Sequence, residues 1–460
     1  MSTNNQNRSL FLIVKLLTFF FFISFHLLFS ELHHAIAQVA FSGMYQNYNA
    51  VQTTGNNEII SARNRLRLQL EHSRSFGGLH SETDFIQRYN QSASIDIQFR
   101  ELYFDWYFDD YDLRIGKQKV IWGRATGGFV TDILSPVDLR EFLTQDPEDL
   151  RIGFTAINLT RYYGSNFFQI VLSPLFEPDL LPEPDSRWFP IQMIPGPIPV
   201  SYNGPDRTAA LKDAGLAFRY GLRSPSRFDF DVKLLRWTHP MPTYGITFSF
   251  LNQQNILQAN LNETYQHSWM GALSASLQLL DDLTLTGETL IVKDRLFTFL
   301  PVSISTLENA LNTPNGVLQL FQEFEFRDDG YLIKKPWLNT MIGVETNWHS
   351  TTISAQLFIE SILDYEEKIL PQRIFPYVTF LAARNFARDR LRVLTLTRYN
   401  IYAEDFWFQL SGTYEAADGL EISLGSNLFG GDSVTPFYGH FSFNRFRENS
   451  FIFTRIAYYF

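Results

Sequence analysis

The chain lacks cysteine altogether, so disulfide bonds and thiolate metal sites are excluded. Long apolar segments are also absent: the apolar run at residues 16–30 is shorter than the about 20 residues of a membrane-spanning helix. Basic charge is scarce, since 38 Lys and Arg face 48 Asp and Glu and leave a net charge of −10. An acidic balance argues against nucleic acid as a partner. Aromatic residues are abundant at 16%, including 44 Phe, which is high for a soluble enzyme.

The N-terminal region has the order of parts of a secretory signal peptide. Arg8 and Lys15 flank the start of the apolar run, and Ala35 and Ala37 place small residues at the two positions that a signal peptidase reads. We expect cleavage after Ala37, so that residues 1–37 form the signal peptide and residues 38–460 a single mature domain. The alternative is an uncleaved membrane anchor, which the short apolar run disfavours.

Beyond residue 38 the dominant hydrophobic period is two, as in β-strands. Leu66, Leu68 and Leu70 alternate with arginine and glutamine, and apolar residues alternate with aspartate and lysine in residues 227–235. The same alternation recurs along the chain. In a soluble sheet the apolar face packs on a core, but no helical layer is present in this sequence to form one.

The connections between the predicted strands alternate in length. Short turns are predicted at residues 109–111, 163–166, 224–227, 280–283, 347–351 and 403–405, and long segments at 123–150, 173–212, 238–266, 296–336 and 365–388. Compact soluble domains seldom have several loops beyond about 15 residues, whereas this asymmetry is typical of outer-membrane barrels. We predict an all-β fold: a transmembrane antiparallel β-barrel of about 18 strands, with 16 as the alternative, short periplasmic turns and long extracellular loops.

The last strand contains a predicted assembly signal. Ile456, Tyr458 and Phe460 lie on one face of an alternating aromatic strand, which resembles the signal that outer-membrane proteins present to the barrel-assembly machinery. In a bilayer only a closed sheet gives every backbone N–H and C=O a partner, and aromatic residues near the strand ends supply interfacial girdles. The predicted location is therefore the bacterial outer membrane, within lipid and lipopolysaccharide.

No motif for catalysis, metal binding or nucleotide binding is found in the sequence. The nine histidines are scattered without zinc-ligand spacing, and neither a phosphate-binding loop nor a dinucleotide fingerprint occurs. We therefore predict no catalytic residue, no metal and no cofactor. A barrel of 16 to 18 strands instead leaves an aqueous channel unless something fills it.

Charged side chains at inward positions predict the wall of such a channel. Opposed rows of basic and acidic groups orient polar solutes, as charged rings do in channels generally. The other interpretation is that these charges pair across strands and stiffen the wall. The predicted pore-lining residues are Arg63, Arg65, Arg67, Asp229, Asp231 and Arg455.

Residues 120–143, VIWGRATGGFVTDILSPVDLREFL, predict a strand exit and a loop that narrows the pore. Gly123, Gly127 and Gly128 permit a sharp exit from the strand, and Ser135 before Pro136 fits the N-cap and first turn of a short helix. The predicted residues of this constriction loop are Trp122, Arg124, Asp132, Asp138, Arg140 and Glu141.

The same region carries a family resemblance. Residues 116–143 resemble the “G(R/K)Q…WG…D…NP.D” signature of porin-like outer-membrane barrels of uncharacterised function, a group placed with alginate-export and phosphate-selective porins. Ser135 stands where asparagine is commoner in that signature. The resemblance implies the barrel fold and its location, but no substrate. The aligned residues are Gln118, Trp122, Gly123, Asp132, Pro136 and Asp138.

Three classes of function follow as hypotheses. The first is an outer-membrane channel for passive or weakly selective passage of small polar or charged solutes. The second is a barrel plugged by its loops, with a structural role or a role in the export of a polymer or partner protein. The third, a barrel enzyme, is disfavoured because no nucleophile–base pair is evident. Expected partners are small solutes, outer-membrane lipid and the assembly machinery; a homo-oligomer stays open, because no patch in the sequence specifies one.

Overall fold

The computed structural model describes residues 39–89, 95–189, 199–204, 213–224, 227–251, 256–300, 329–432 and 442–460, together with a few isolated positions between 302 and 319. The predicted signal peptide lies outside the described residues. No helix within the described ranges is both long and apolar enough to cross a membrane.

Eighteen strands form one sheet and three more form a smaller one. The strands of the large sheet are β1 (Val39–Gln52), β2 (Ile59–Arg74), β3 (Gly77–Arg88), β4 (Ile95–Phe108), β5 (Tyr111–Gln118), β6 (Phe154–Tyr163), β7 (Asn166–Ser173), β9 (Gly215–Arg223), β10 (Phe228–Thr238), β13 (His267–Leu280), β14 (Leu283–Thr298), β15 (Leu332–Trp348), β16 (Thr351–Ile362), β17 (Ile374–Phe386), β18 (Leu391–Asn400), β19 (Asp405–Ala417), β20 (Leu420–Gly431) and β21 (Phe451–Tyr459). The strands of the small sheet are β8 (Val200–Asn203), β11 (Thr243–Leu251) and β12 (Ile256–Thr264).

The large sheet closes on itself. Each strand pairs antiparallel with the next one in the sheet, and β1 pairs with both β2 and β21. At the seam Tyr48 lies opposite Arg455, and Gly43 and Phe460 exchange two backbone hydrogen bonds of 2.9 and 3.1 Å. The prediction of an antiparallel transmembrane barrel with about 18 strands is confirmed.

The predicted asymmetry of the connections is also present. Turns of two to four residues join strands at the end of the barrel where β1 begins and β21 ends, and the longest connections, 119–153, 174–214, 239–266 and 299–331, all lie at the opposite end. We call these the short-turn end and the long-loop end.

Two predicted connections are wrong. Residues 365–388 are not one long loop, because they contain β17, and the turn at 403–405 lies at the long-loop end. Strand β17 has little alternation because its inward residues Phe375 and Tyr377 are aromatic and buried inside the barrel. Its period of two is therefore hidden from the sequence.

Alternation along the strands separates an outer from an inner face. In β10, Val232 and Leu234 are exposed, whereas Asp231 and Lys233 are buried. The outer face is thus apolar, as lipid requires, and the inner face carries the charges.

Much of the interior near the long-loop end is filled by apolar side chains of the loops. Trp188 and Phe446, from two different loops, pack with Phe142 against Trp407 and Phe429 on the inner wall. A second cluster joins Trp122, Val130 and Ile133 to the inner faces of the strands from β6 to β17. The core of this protein therefore lies inside the barrel, between wall and loops.

Candidate functional site

Residues 119–153, which connect β5 to β6, fold into the barrel, and we call them the inner loop. On one side they contact the strands from β7 to β17, and on the other β2, β3, β4 and β21. These strands lie on opposite sides of the barrel, so the inner loop crosses its interior.

A buried lysine holds the first part of the inner loop to the wall. Lys233 Nζ donates to the Trp122 carbonyl at 2.9 Å, to Thr131 Oγ1 at 2.8 Å and to Ser274 Oγ at 2.9 Å. The Trp122 indole N–H donates to Gln169 Oε1 on β7 at 2.9 Å. Trp122 is therefore a buried anchor of the loop, and its side chain is only 2% exposed.

The tip of the inner loop contacts the wall too closely for any residue but glycine. Backbone N–H groups of Thr126 and Gly127 both donate to Gln356 Oε1 on β16, at 3.1 Å each. A Cβ atom added to Gly127 would lie 2.3 Å from Thr379 Oγ1 on β17. Gly128 is confined in the same way by the Tyr377 hydroxyl.

Two polar residues tie the inner loop to itself. Asp132 accepts the Trp122 N–H at 3.1 Å and forms a 2.7 Å ion pair with Arg151. Ser135 Oγ accepts the Val120 N–H at 2.7 Å and donates to the Val120 carbonyl at 3.1 Å.

The predicted short helix that begins at Ser135 is wrong. The serine hydroxyl is used by Val120, and the following residues form β-bridges, Val137 with Arg151 and Asp138 with Leu180. Helical turns in the inner loop occur only as two short 3₁₀ segments, Phe142–Thr144 and Pro147–Asp149.

The three arginines predicted on β2 face inward and bind the second part of the inner loop. Arg63 pairs with Glu141 and donates to the Thr144 carbonyl at 2.8 Å. Arg65 pairs with Asp149, and Arg67 Nη2 lies 2.8 Å from the other Asp149 oxygen. Burial opposes ionisation of Glu141, but Arg63 and Arg88 outweigh it and lower its pKa to about 2. The Glu141 carboxylate therefore stays charged.

Two of these arginines are almost inaccessible: Arg63 is 1% and Arg65 3% exposed. The Arg67 side chain keeps 14% of its surface exposed and also pairs with Asp84 on β3 at 2.7 Å. Buried guanidinium groups that form ion pairs hold the loop in place, because the loss of one partner of a buried ion pair strongly destabilises the fold. Their predicted part in solute selectivity stays a prediction.

The other predicted residues of the loop and wall have local partners. Arg455 on β21 pairs with Asp146 at 2.5 Å, and Asp138 pairs with Arg140 at 2.7 Å. Arg124 reaches the opposite wall, where it contacts Asp231 at 2.9 Å and Ser276 Oγ at 2.5 Å.

The buried carboxylate of Asp231 is the centre of a second charged cluster. Arg219 and Arg223 on β9 lie 3.1 and 2.9 Å from it, and Arg124 contacts it from the loop. Asp229 is the other acid, 3.6 Å from Arg124 and 3.9 Å from Arg223. Three guanidinium groups thus share two carboxylates, and the arginine side chains keep 14 to 28% of their surface exposed. We call these five residues the Asp231 cluster.

Sequence reasoning missed several residues that hold the inner loop. Lys233 and Gln356 lie at inward positions of alternating strands, so the period of two places them in the interior without showing that they bind a loop. Glu288 on β14 is similar: it accepts the Thr131 N–H at 3.1 Å and also the Arg124 N–H.

Only one group of metal-binding side chains is close together in the described part of the chain: His80, Glu82 and Glu101. Its acids already have basic partners, because Arg100 lies 3.0 Å from Glu82 and Lys119 lies 3.2 Å from Glu101. This arrangement opposes a bound cation.

The predicted assembly residues lie on the outer face of the last strand. Ile456, Tyr458 and Phe460 are all exposed there, and the Phe460 ring packs beside Phe41 at the short-turn end. Recognition of these residues by the assembly machinery stays a prediction.

A buried acid joins the inner loop to the next long loop. Asp179 Oδ1 accepts the Val137 N–H at 2.8 Å, and its own N–H donates to the Pro240 carbonyl at 3.2 Å. Burial raises the pKa of Asp179 to about 7, although the Val137 hydrogen bond and the charge of Arg151 act in the opposite direction. No ion pair to Asp179 occurs among the described residues.

We predict that Asp179 makes the docking of the inner loop sensitive to pH. Its folded pKa lies above the ordinary aspartate value, so the docked state favours the protonated form and loses stability as pH rises from about 4 to about 7. Amide hydrogen exchange at Val137 and Leu139, corrected for intrinsic rates, should therefore be slower at pH 5 than at pH 8. Asp179→Asn should remove this difference, since the amide still accepts the Val137 N–H; a difference that persists in the variant contradicts the assignment.

We also predict that Gly127→Ala releases the tip of the inner loop. Overpacking of this kind typically costs about 1–3 kcal/mol, so tryptic cleavage after Arg124 should accelerate about tenfold. Gly204→Ala is the control, because nothing lies within 4 Å of its added Cβ atom. Equal cleavage rates in both variants would show that the tip is not held by this contact.

Comparison with solved structures shows the same fold in outer-membrane proteins of Pseudomonas aeruginosa. OccK2 (OpdF) in complex with glucuronate has a TM-score of 0.52 and 9% identity, over 92% of this chain and 97% of that one. OccK3 (OpdO) has a TM-score of 0.51 and 8% identity, over 92% and 96%. The outer membrane protein OpdK has a TM-score of 0.50 and 10% identity, over 92% and 99%.

No family model matches the sequence, and no curated protein matches it. The structural likeness at such low identity is one of fold. It agrees with the predicted resemblance to porin-like outer-membrane barrels, and the chain therefore has the architecture of an 18-strand outer-membrane barrel with a loop folded inside.

Proposed function

We propose that this protein is an outer-membrane channel for passive or weakly selective passage of small polar or charged solutes. The observation that carries the proposal is the Asp231 cluster. It places partly exposed guanidinium groups in excess of carboxylates on the inner wall of a closed barrel, beside the inner loop.

The chemistry of the cluster favours small anions among these solutes. A guanidinium group binds a carboxylate through paired, charge-assisted hydrogen bonds, and the Asp231 cluster has more such groups than its own two acids neutralise. Glucuronate, which is bound in the OccK2 structure of the same fold, is a solute of this class. A small sugar acid is therefore the first solute to test.

The inner loop sets the width of the proposed path. Its anchors lie on opposite walls, Gln356 on one side and Arg63 on the other, so a solute passes beside the loop rather than through an empty barrel. Arg63, Arg65 and Arg67 then keep the loop in place, while the Asp231 cluster contacts the solute.

The alternative function, a barrel plugged by its loops, is favoured by one observation. Aromatic side chains from the loops, among them Trp188 and Phe446, fill part of the interior near the long-loop end. A plugged barrel would conduct neither ions nor sugars, so solute passage distinguishes the two functions directly.

The remaining sequence-based expectations stay proposals. They comprise the signal peptide at residues 1–37, an alginate-export or phosphate-selective subtype, and partnership with lipopolysaccharide and the assembly machinery. No enzymatic activity is proposed.

The selectivity of the channel should depend on Arg223, the most exposed arginine of the Asp231 cluster. In planar bilayers under a KCl gradient, the intact protein should show a reversal potential displaced towards the chloride equilibrium potential. Arg223→Glu should displace it towards potassium, because three guanidinium groups become two and the carboxylates become three. Arg227→Glu is the matched control: it lies in the neighbouring short turn, paired with Asp281 and half exposed, and should leave the potential unchanged.

Liposome swelling completes this test. Vesicles that contain the protein should swell in glucuronate, and more slowly when Arg223 is replaced by Glu. Unchanged reversal potential in Arg223→Glu would remove the cluster from the solute path, and absence of swelling and current together would support the plugged barrel.

A further inference from the structure

The outer face of the barrel carries an island of amide side chains at the seam. Asn47 and Asn49 lie at outward positions of β1, and Asn64 lies opposite Asn47 on β2. Asn47 Nδ2 donates to Asn64 Oδ1 at 2.8 Å, and Asn49 Nδ2 donates to Asn47 Oδ1 at 2.7 Å. Asn64 Nδ2 in turn donates to the Tyr89 hydroxyl. We call Asn47, Asn49 and Asn64 the amide patch.

The amide patch lies within the apolar outer surface and not beyond its edge. Towards the long-loop end, the next outward residues are Val51 (38% exposed), Ile59 (55%) and Ile452 (50%). Towards the short-turn end, Tyr45 (44%) and Tyr458 (49%) continue the outer face.

The sideways neighbours of the patch are uncharged. On β21, Ile456 lies opposite Asn47. On β3, the neutral Gln87 lies opposite Asn64, and Ile95 on β4, which is 65% exposed, lies opposite Gln87. The three amides therefore stand in a surface without charge, between apolar and aromatic residues towards both ends of the barrel.

Amides at such a position need hydrogen-bond partners. Burial of an amide in an apolar medium without a partner costs several kcal/mol in model systems, and water is absent from the bilayer core. A carboxamide has two N–H donors and an oxygen that accepts twice. Each amide of the patch donates one hydrogen bond to a described neighbour, and Asn49 remains exposed. The surface of the patch therefore still has donor and acceptor capacity for further hydrogen bonds.

We propose that the amide patch is the contact through which two copies of this chain associate in the membrane. An amide is donor and acceptor at once, so the patch is complementary to itself, as a two-fold interface between identical subunits requires. Hydrogen bonds between amides of neighbouring chains stabilise membrane assemblies in the same manner. The exposed Val51, Ile452, Tyr45 and Tyr458 around it supply the apolar rim of the contact.

The absence of charge on this surface favours a second copy of the chain over an anionic lipid headgroup as the partner. Phosphate groups are bound by arginine and lysine, and the outward residues at the patch are Asn47, Asn49 and Asn64 on β1 and β2, with Thr454 and Ile456 opposite them on β21. None carries a charge. A second copy offers the amides that a lipopolysaccharide phosphate does not.

The absence of cysteine allows a direct test by cross-linking in native membranes. Asn49→Cys should form a disulfide-linked dimer on mild oxidation, because Asn49 meets its own counterpart across the two-fold contact. Ile342→Cys is the matched control: it is 54% exposed on the outer face of β15, on another side of the barrel, and should stay monomeric. A monomeric Asn49→Cys protein, or equal cross-linking of both variants, would overturn the proposal.

A second variant separates the contact from random collision. Asn47→Leu and Asn64→Leu, added to Asn49→Cys, remove the shared hydrogen bonds and should lower the dimer yield about tenfold. The heat-dependent shift in electrophoretic mobility that marks a folded barrel should persist, since leucine suits the lipid-facing position. An unchanged dimer yield in the folded triple variant would show that the amides do not form the interface.

Discussion

Everything in this structure depends on the pairing of β1 with β21. In a bilayer no water is available to hydrogen-bond a free sheet edge, so a membrane-spanning sheet is stable only when its first and last strands meet. The seam runs from Met44 opposite Tyr459 to Gln52 opposite Phe451. Closure fixes one face towards lipid and the other inward, and this division decides which side chains can form a site.

The buried charges of the inner face would destabilise the fold if they had no ion-pair or hydrogen-bond partners. Here Arg63, Arg65 and Arg67 are neutralised by acids from β3 and from the inner loop, and the buried Lys233 is held by three oxygens. The same contacts that satisfy the wall hold the loop across the interior. Support of the wall and narrowing of the pore are thus one set of interactions, while the Asp231 cluster keeps arginine surface accessible.

The sequence predicted the barrel, its strand number and the inward direction of charged residues, because the period of two repeats wherever one face meets lipid and the other polar groups. The prediction failed where loop residues inside the barrel contact the inner face of the strands. Phe375 and Tyr377 break the alternation of β17 because they contact loops instead of water, and the Ser135 hydroxyl binds Val120 instead of capping a helix. Sequence patterning does not single out Asn47 and Asn49, because the environment of a polar outward residue depends on the strands beside it.

A barrel that conducts beside a fixed inner loop has a distinct electrical signature. Single-channel recording of the folded, intact protein in planar bilayers should show discrete current steps whose conductance does not change with voltage and is smaller than that of a barrel of the same strand number with an empty interior. Inserted and correctly folded protein that produces no steps would show that the interior does not conduct.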